Sequence, residues 1–575
     1  MAFVRIDQFT GIAPKVGDKR LKLGAATRAV GTEFELGKIK SRKRDRSIEN
    51  LRGGRDSLFL YRDQFWFTGT GITYVESPVQ QDQHDRVYMV GETFQFPRFA
   101  EVASATQGYN QNWNYQTDAS LPTVYYRLGI NPPQSKPIVT LGDAPTPGDG
   151  EELLDVSTSY VYTLVGANGE ESAPSNPSAI VSYVEGQPRY VVVEPTTESN
   201  VNIAFKRIYR TATGANNTEF LFVDEILYTQ SSYIDTKSDA ELGEVIVTEN
   251  HYPPPNDDAS LHPSGPLRSL VQHPQGFLVG HTGNTLCFSE PYLPHAWNPN
   301  NQLTTKQDIV GIVSGANGIV VGTKGSPYLC TGNTPDSMDL YQLQAEYATA
   351  SARSMVELNG AVFYASPDGI VAVDGNNVML MTENIFNKDQ WAEYAPSTIT
   401  AFAYGDRYIG FYTYGDTKAG FVLDPKSSAF YDLDWYAYGG HVASDNTLYL
   451  IRNYNQDHNQ ITAFEQGAAG SANNADGQAS GTEPFSYETG KIPLHDGIQF
   501  AYIKIVATKA SYVTITVTVD NNILANYPVT WMGVYGELVL PLPSGMRGAV
   551  FSVAISGDTT LESITLAETR EELEP

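Results

Sequence analysis

A chain of 575 residues with a formal net charge of −27 has room for several domains of roughly 100–200 residues each. Its overall charge opposes holding nucleic acid, because phosphate binding needs clustered cations. Charged residues make up only 18%, against 50 Gly, 33 Pro and 35 Tyr, which argues against a helical bundle and for turn-rich β-structure with aromatic strands. The two cysteines form no disulfide scaffold or zinc spacing, and no segment reaches the ~18–20 apolar residues of a membrane span.

The start, "MAFVRIDQFTG", has no long apolar segment, so no signal peptide and synthesis in a cytoplasm are expected. Between Lys15 and Arg55 lie thirteen Lys and Arg against five Asp and Glu. The run "KIKSRKRDR" (38–46) makes Lys38, Lys40, Arg42, Lys43, Arg44 and Arg46 a candidate docking surface for an acidic partner, or else a solvated arm. "SLFLYRDQFWFTGTGITYV" (57–75) and "DRVYMVGETFQF" (85–96) read as β-strands, and residues 1–136 as a platform carrying the first strands of a propeller.

Residues 137–250 read as a small fibronectin type III-like β-sandwich between the Pro-rich flanks "NPPQSKP" and "HYPPPNDD", with a turn at Asn168-Gly169. Over 259–467 a weak repeat recurs at propeller-blade spacing. "GFLVGHTGNTLCFSEP" (276–291) aligns with "GIVVGTKGSPYLCTGN" (318–333), placing Gly280 on Gly322 and Cys287 near Cys330. The expected fold is therefore all-β: an irregular β-propeller with the fibronectin-like sandwich inserted. A small-residue linker (467–481) then leads to a C-terminal β-sandwich over 482–575. There Val513, Ile515, Val517 and Val519 alternate with threonines, and Phe551, Val553 and Ile555 face inward.

The stretch "CFSEPYLPHAWNP" (287–299) gathers Cys287, Ser289, Glu290, His295 and Trp297. Three prolines stiffen it, and nothing in the spacing brings a nucleophile, a base and an oxyanion donor together, so it reads as structural. Cys287 is expected in a blade core, Trp297 and Tyr292 over a blade edge, and Glu290 and His295 on backbone partners. "SPDG" (366–369) reads as a tight turn and "NYNQDHNQ" (453–460) as a hairpin tip. No catalytic residue, cofactor or metal site is expected.

Taken in order, "FTGIAPKV", "AATRAVGTEFELGKIK" (25–40), "YVYTLVGANGEESAPS" (160–175), "KRIYRTATG" (206–214), "GFLVGHTGNTLCFSEPYLPHAWNP" (276–299), "ASPDGIVAVDG" (365–375) and "ITLAETREELEP" (564–575) resemble the tail nozzle, or tail tubular protein B, family of short-tailed bacteriophages. The resemblance implies a non-enzymatic virion protein assembled in the host cytoplasm. It implies a homohexameric ring at the distal tail that contacts tail adaptor proteins and fibres or spikes. The ring would retain packaged DNA, then pass it through the lumen without specific binding. The competing readings are a host-glycan or fibre-binding module, for which Tyr527, Trp531 and Tyr535 form a candidate sugar platform, and a glycosidase on a propeller scaffold.

Overall fold

The computed structural model describes residues 3–573 except 53, 63–64, 102–124, 149–151, 195–200, 213–218, 456–457, 472–474, 476–480, 495–497, 531–534 and 545–547. It is all-β. Among the described residues the one α-helix is the single turn Lys388–Ala392, and no helix is long and apolar enough to cross a membrane.

Among the described residues the propeller closes as a ring of seven positions. The first is the hairpin Ser57–Tyr61 with Phe65–Gly69, and the second is the sheet that starts at Ile72–Glu76. Four sheets follow, with inner strands Arg268–His273, Ile309–Gly315, Val356–Leu358 and Thr400–Tyr404. The seventh begins at Ala437–Val442. Each inner strand packs against the next, and Ala437–Val442 returns to Ser57–Tyr61. The outer strand of the seventh blade comes from the other end of the chain. Arg46–Arg52 pairs antiparallel with His458–Ala463, so N-terminal residues close the ring and cover an edge that would otherwise be open. Gly439 allows this closure, since a Cβ there would sit 1.9 Å from the Asp56 carbonyl oxygen of the first blade.

The hydrophobic pattern explains the blades. Runs such as Phe277–Thr282, Ala361–Ser366 and Gly369–Asp374 are buried nearly throughout, because middle strands are covered on both faces by neighbouring blades. Gly280 and Gly322 occupy equivalent second strands, and Cys287 and Cys330 equivalent third strands, as the repeat implied.

The inserted unit leaves the ring after the outer strand Tyr126–Arg127 and returns at Arg268. Its two three-stranded sheets, Ile138–Leu141/Arg189–Val192/Ser232–Asp235 and Tyr160–Gly166/Ile203–Thr211/Phe220–Leu227, enclose Tyr160, Tyr162, Leu164, Val191, Ile208 and Val223.

The ends of the chain form one body. Two strands of 18 residues, Tyr502–Val519 and Val550–Ala567, pair along their lengths and bend where the register breaks between Thr508 and Tyr512. Their inward residues, including Val513, Ile515, Val517, Phe551, Val553 and Ile555, share one core with Ile6, Phe9 and Ile39. Phe3–Ile6 and Lys38–Ser41 pair directly with Val550–Ala567. Ala25–Val30 pairs with Phe485–Thr489 on one side and, through a parallel bridge from Val30 to Asp432, with the sixth blade on the other. Boundaries drawn along the chain at 136 and 482 follow composition; hydrogen bonding puts Phe3–Ile6, Ala25–Val30 and Lys38–Ser41 in one sheet with Phe485–Thr489, Tyr502–Val519 and Val550–Ala567.

Candidate functional site

The basic run lies where three parts of the fold meet. Lys38 and Lys40 alternate with the fully buried Ile39 on Lys38–Ser41, so their amines point outward. Lys38 Nζ lies 2.6 Å from Glu562 Oε1, and Lys40 Nζ lies 3.2 Å from Glu35 Oε2 and 3.9 Å from Glu33 Oε2. After Ser41 the chain turns inward.

Arg42 is not a surface residue. It is 0% exposed, its Nη1 donates to Asp45 Oδ1 at 2.7 Å, and its Nη2 donates to Glu483. The guanidinium also stacks over Trp435 and Phe464, 5.1 and 4.8 Å from their ring centroids. Asp45, itself buried, takes a second cation, Arg452 Nη1 at 2.6 Å, and accepts the Glu465 N–H at 3.1 Å. Glu465 forms a bidentate pair with Arg407, at 3.0 and 2.6 Å. Burial alone would lower the Arg42 pKa and raise that of Asp45. Asp45 and Glu483 hold Arg42 above its ordinary value, while Arg42 and Arg452 hold Asp45 below its own. Arg44 is also buried, its N–H on the Gly481 carbonyl and its carbonyl on the Gly467 N–H.

The six-residue docking surface is therefore corrected. Arg42 and Arg44 are withdrawn into the protein: the neighbouring Asp45 and the distant Glu483 supply Arg42 with what a partner would have supplied, and Arg44 is held by backbone bonds to Gly481 and Gly467. Lys43 and Arg46 remain exposed, and Lys38 and Lys40 flank them with intramolecular partners. The acids Glu465 and Glu483 and the bases Arg407 and Arg452 had no mark in the sequence. Only the lone Asp45 within a basic run hinted at an internal counter-ion.

The 287–299 stretch is spent on structure. Ser289 Oγ accepts the Leu278 N–H at 2.8 Å and donates to the Glu290 carbonyl at 3.2 Å. Trp297 lies in the core beside Cys287, its Nε1 donating to the Pro294 carbonyl at 2.8 Å. Tyr292 adopts φ +59° and lays its ring against Gly276, where any Cβ would collide with it. Glu290 meets the Asn301 side-chain amide at 3.5 Å rather than backbone donors, and His295 Nε2 has no hydrogen-bond partner. Burial pushes the Cys287 thiol up to about 12. Burial, with His251 and Arg86 nearby, pushes His295 down to about 3. Neither group is ionised near neutrality, so they form no thiolate–imidazolium pair. Beside this stretch a cavity of about 750 Å³, bordered by Tyr252, Asp257, Asp258, His262 and Gln302, separates the blade from the linker to the sandwich.

Asp368 closes the tight hairpin of "SPDG", its N–H on Ser366 Oγ at 3.4 Å. Asn455 pairs with His458 at the 453–460 hairpin, whose tip, 456–457, lies outside the described residues. Of the aromatic platform, Tyr527 donates from its hydroxyl to the Pro541 carbonyl, while Trp531 and the Tyr535 side chain lie outside the described residues. Among the described residues no group of three or more His, Cys, Asp or Glu could hold a metal ion.

No family model matches the chain, and no curated protein matches it. Solved structures similar to it include an exo-β-1,3-galactanase from Phanerochaete chrysosporium, at 10% identity over 52% of this chain and 95% of that one, with TM-score 0.18. The Neurospora crassa Pan2 WD40 domain matches at 10% identity over 53% and 82%, with TM-score 0.25. A protein of unknown function from Desulfotomaculum acetoxidans matches at 10% over 67% and 90%, with TM-score 0.23. Likenesses this slight bear on neither activity nor ligand.

Proposed function

We propose that this chain is a structural subunit of the distal tail nozzle of a short-tailed bacteriophage. It would assemble as a homohexameric ring below the tail adaptor proteins, hold packaged DNA, and provide its path during ejection. The observation that supports this reading best is the ionic clamp of Arg42, Asp45, Arg452 and Glu483. It joins the N-terminal segment, the seventh blade and the C-terminal sandwich, a construction suited to carrying load between neighbouring rings rather than to turning over a substrate. A net charge of −27 would keep DNA from adhering to the lumen.

In this reading Lys43 and Arg46 are the exposed cations of the basic run that reach an acidic tail neighbour. The test is complementation of particles with K43E/R46E. Normal expression with loss of the chain from purified virions is expected, and normal incorporation refutes the docking role. The host-glycan or fibre-binding reading is tested by glycan-array binding of the full chain, for which the cavity beside Tyr252 and Gln302 is the place to look.

A further inference from the structure

The inner strands of the first, second and third blades begin at Ser57, Ile72 and Arg268. They converge at one mouth of the propeller, around a cavity of about 350 Å³. At about 30 Å³ per water that space takes roughly ten waters, or a molecule of about a dozen heavy atoms. Its polar lining includes Thr73, Glu92, Arg268, His281 and Arg353.

Two of these groups are incompletely served by the protein. Arg268 Nη1 donates to the Gly91 carbonyl and, at 3.4 Å, to that of Phe94. Burial lowers its pKa and the charge of Glu92 opposes this, so the half-buried guanidinium has backbone carbonyls but, among the described residues, no carboxylate in an ion pair with it. The backbone that carries it is strained: Ser269 has φ +46°, at a register break between Arg268 and Leu270. His281 is 5% exposed, and neither ring nitrogen makes a hydrogen bond of good geometry, although the Gly283 backbone lies close enough to favour its charged form. Burial pushes its imidazole down to about 4, so at neutral pH it offers one donor and one acceptor. A buried polar group left unpaired is costly and marks a place where a ligand can supply the partner.

We propose that this mouth binds a small hydroxylated carboxylate, a sugar acid of monosaccharide size. Arg268 takes its carboxylate, and a ligand hydroxyl exchanges hydrogen bonds with His281. The second cation, Arg353, is already committed. It lies 3.1 Å from Asp56 Oδ2 and donates to the Asp56 and Tyr438 carbonyls. With one uncompensated cation the site suits a monoanion better than a phosphate dianion. Exposed Glu92, at the rim, repels that monoanion and competes for Arg268. The assignment is independent of ring assembly.

The test is isothermal titration of the full chain at pH 7 with D-glucuronate, D-glucose and inorganic phosphate. For a ligand this small the glucuronate Kd should be on the order of 1 mM. Glucose and phosphate should bind about tenfold or more weakly, since only glucuronate combines the carboxylate with ring hydroxyls. R268Q should abolish glucuronate binding and H281F weaken it. E92Q, at an exposed position that spares the fold, should tighten it several-fold by removing one like charge from the rim. Should R268Q misfold, E92Q decides. Absence of saturable glucuronate binding, glucose or phosphate binding as tightly as glucuronate, or an E92Q affinity unchanged or weaker would each overturn the assignment.

Discussion

Replacing Arg42 with Met keeps most of the side-chain volume and the contact with Trp435 and Phe464, but removes both charge-assisted bonds. Asp45, buried, is then left to Arg452, and Glu483 loses its guanidinium. Removing one partner of a buried ion pair costs about 3–5 kcal/mol when the other charge is left unpaired; Asp45 keeps Arg452 and Glu483 is partly exposed, so the cost here lies at the lower end, about 3 kcal/mol. For a cooperative unit of 150–250 residues that cost corresponds to a melting-point drop on the order of 10 °C. K43E, at an exposed position one residue along, should change stability by no more than about 0.5 kcal/mol. Thermal unfolding of the full chain followed by tryptophan fluorescence distinguishes them, because Trp435 sits in the clamp. D45N should cost less in the R42M background than alone, because the two residues share one interaction. Equal melting temperatures for R42M and K43E, or additive effects of R42M and D45N, would refute a buried clamp.

Acidification should act through His295. Its folded value of about 3 lies below the ordinary 6.5, so its contribution is present above pH 6.5 and is lost as pH falls toward 3, by about 5 kcal/mol in the limit. H295F should flatten that acid limb in a melting-temperature profile. Glu170 acts in the opposite sense. Burial raises it from 4.5 to about 7 despite Arg86 Nη1 at 3.0 Å, so its contribution is complete below 4.5 and is lost as pH rises through 7, and E170Q should flatten that side. Cys287 and Cys330, both buried with thiols pushed up to about 12, should resist iodoacetamide at pH 8 in the native chain and label fully once unfolded; rapid native labelling would contradict their burial. G557A should destabilise the C-terminal body by several kcal/mol, since φ is +151° and a Cβ would sit 2.2 Å from the Tyr512 carbonyl oxygen. An unchanged melting temperature would show that the bend tolerates a side chain.

Features written at short range were legible in the sequence. Val513, Ile515, Val517 and Val519 alternate with threonines and are buried as alternation requires. The Gly280/Gly322 and Cys287/Cys330 matches identified equivalent strands because each blade solves the same packing problem. Long-range pairings left no such trace. Arg42 and Glu483 are 441 residues apart, and Asp45 and Arg452 are 407 apart. A basic run with one internal acid and its other counter-ions that distant looks like a surface. The single turns of φ and packing that set Arg268 and His281 facing one cavity are equally silent, since Arg, Ser and His in strands carry no motif.

Electron microscopy of the purified full chain, alone and mixed with the tail adaptor proteins the proposal requires, tests the structural-subunit reading most directly. Closed six-fold rings that stack coaxially on the adaptor assembly are the predicted result. A protein that stays monomeric under both conditions, is missing from mature particles and cleaves a polysaccharide would contradict it.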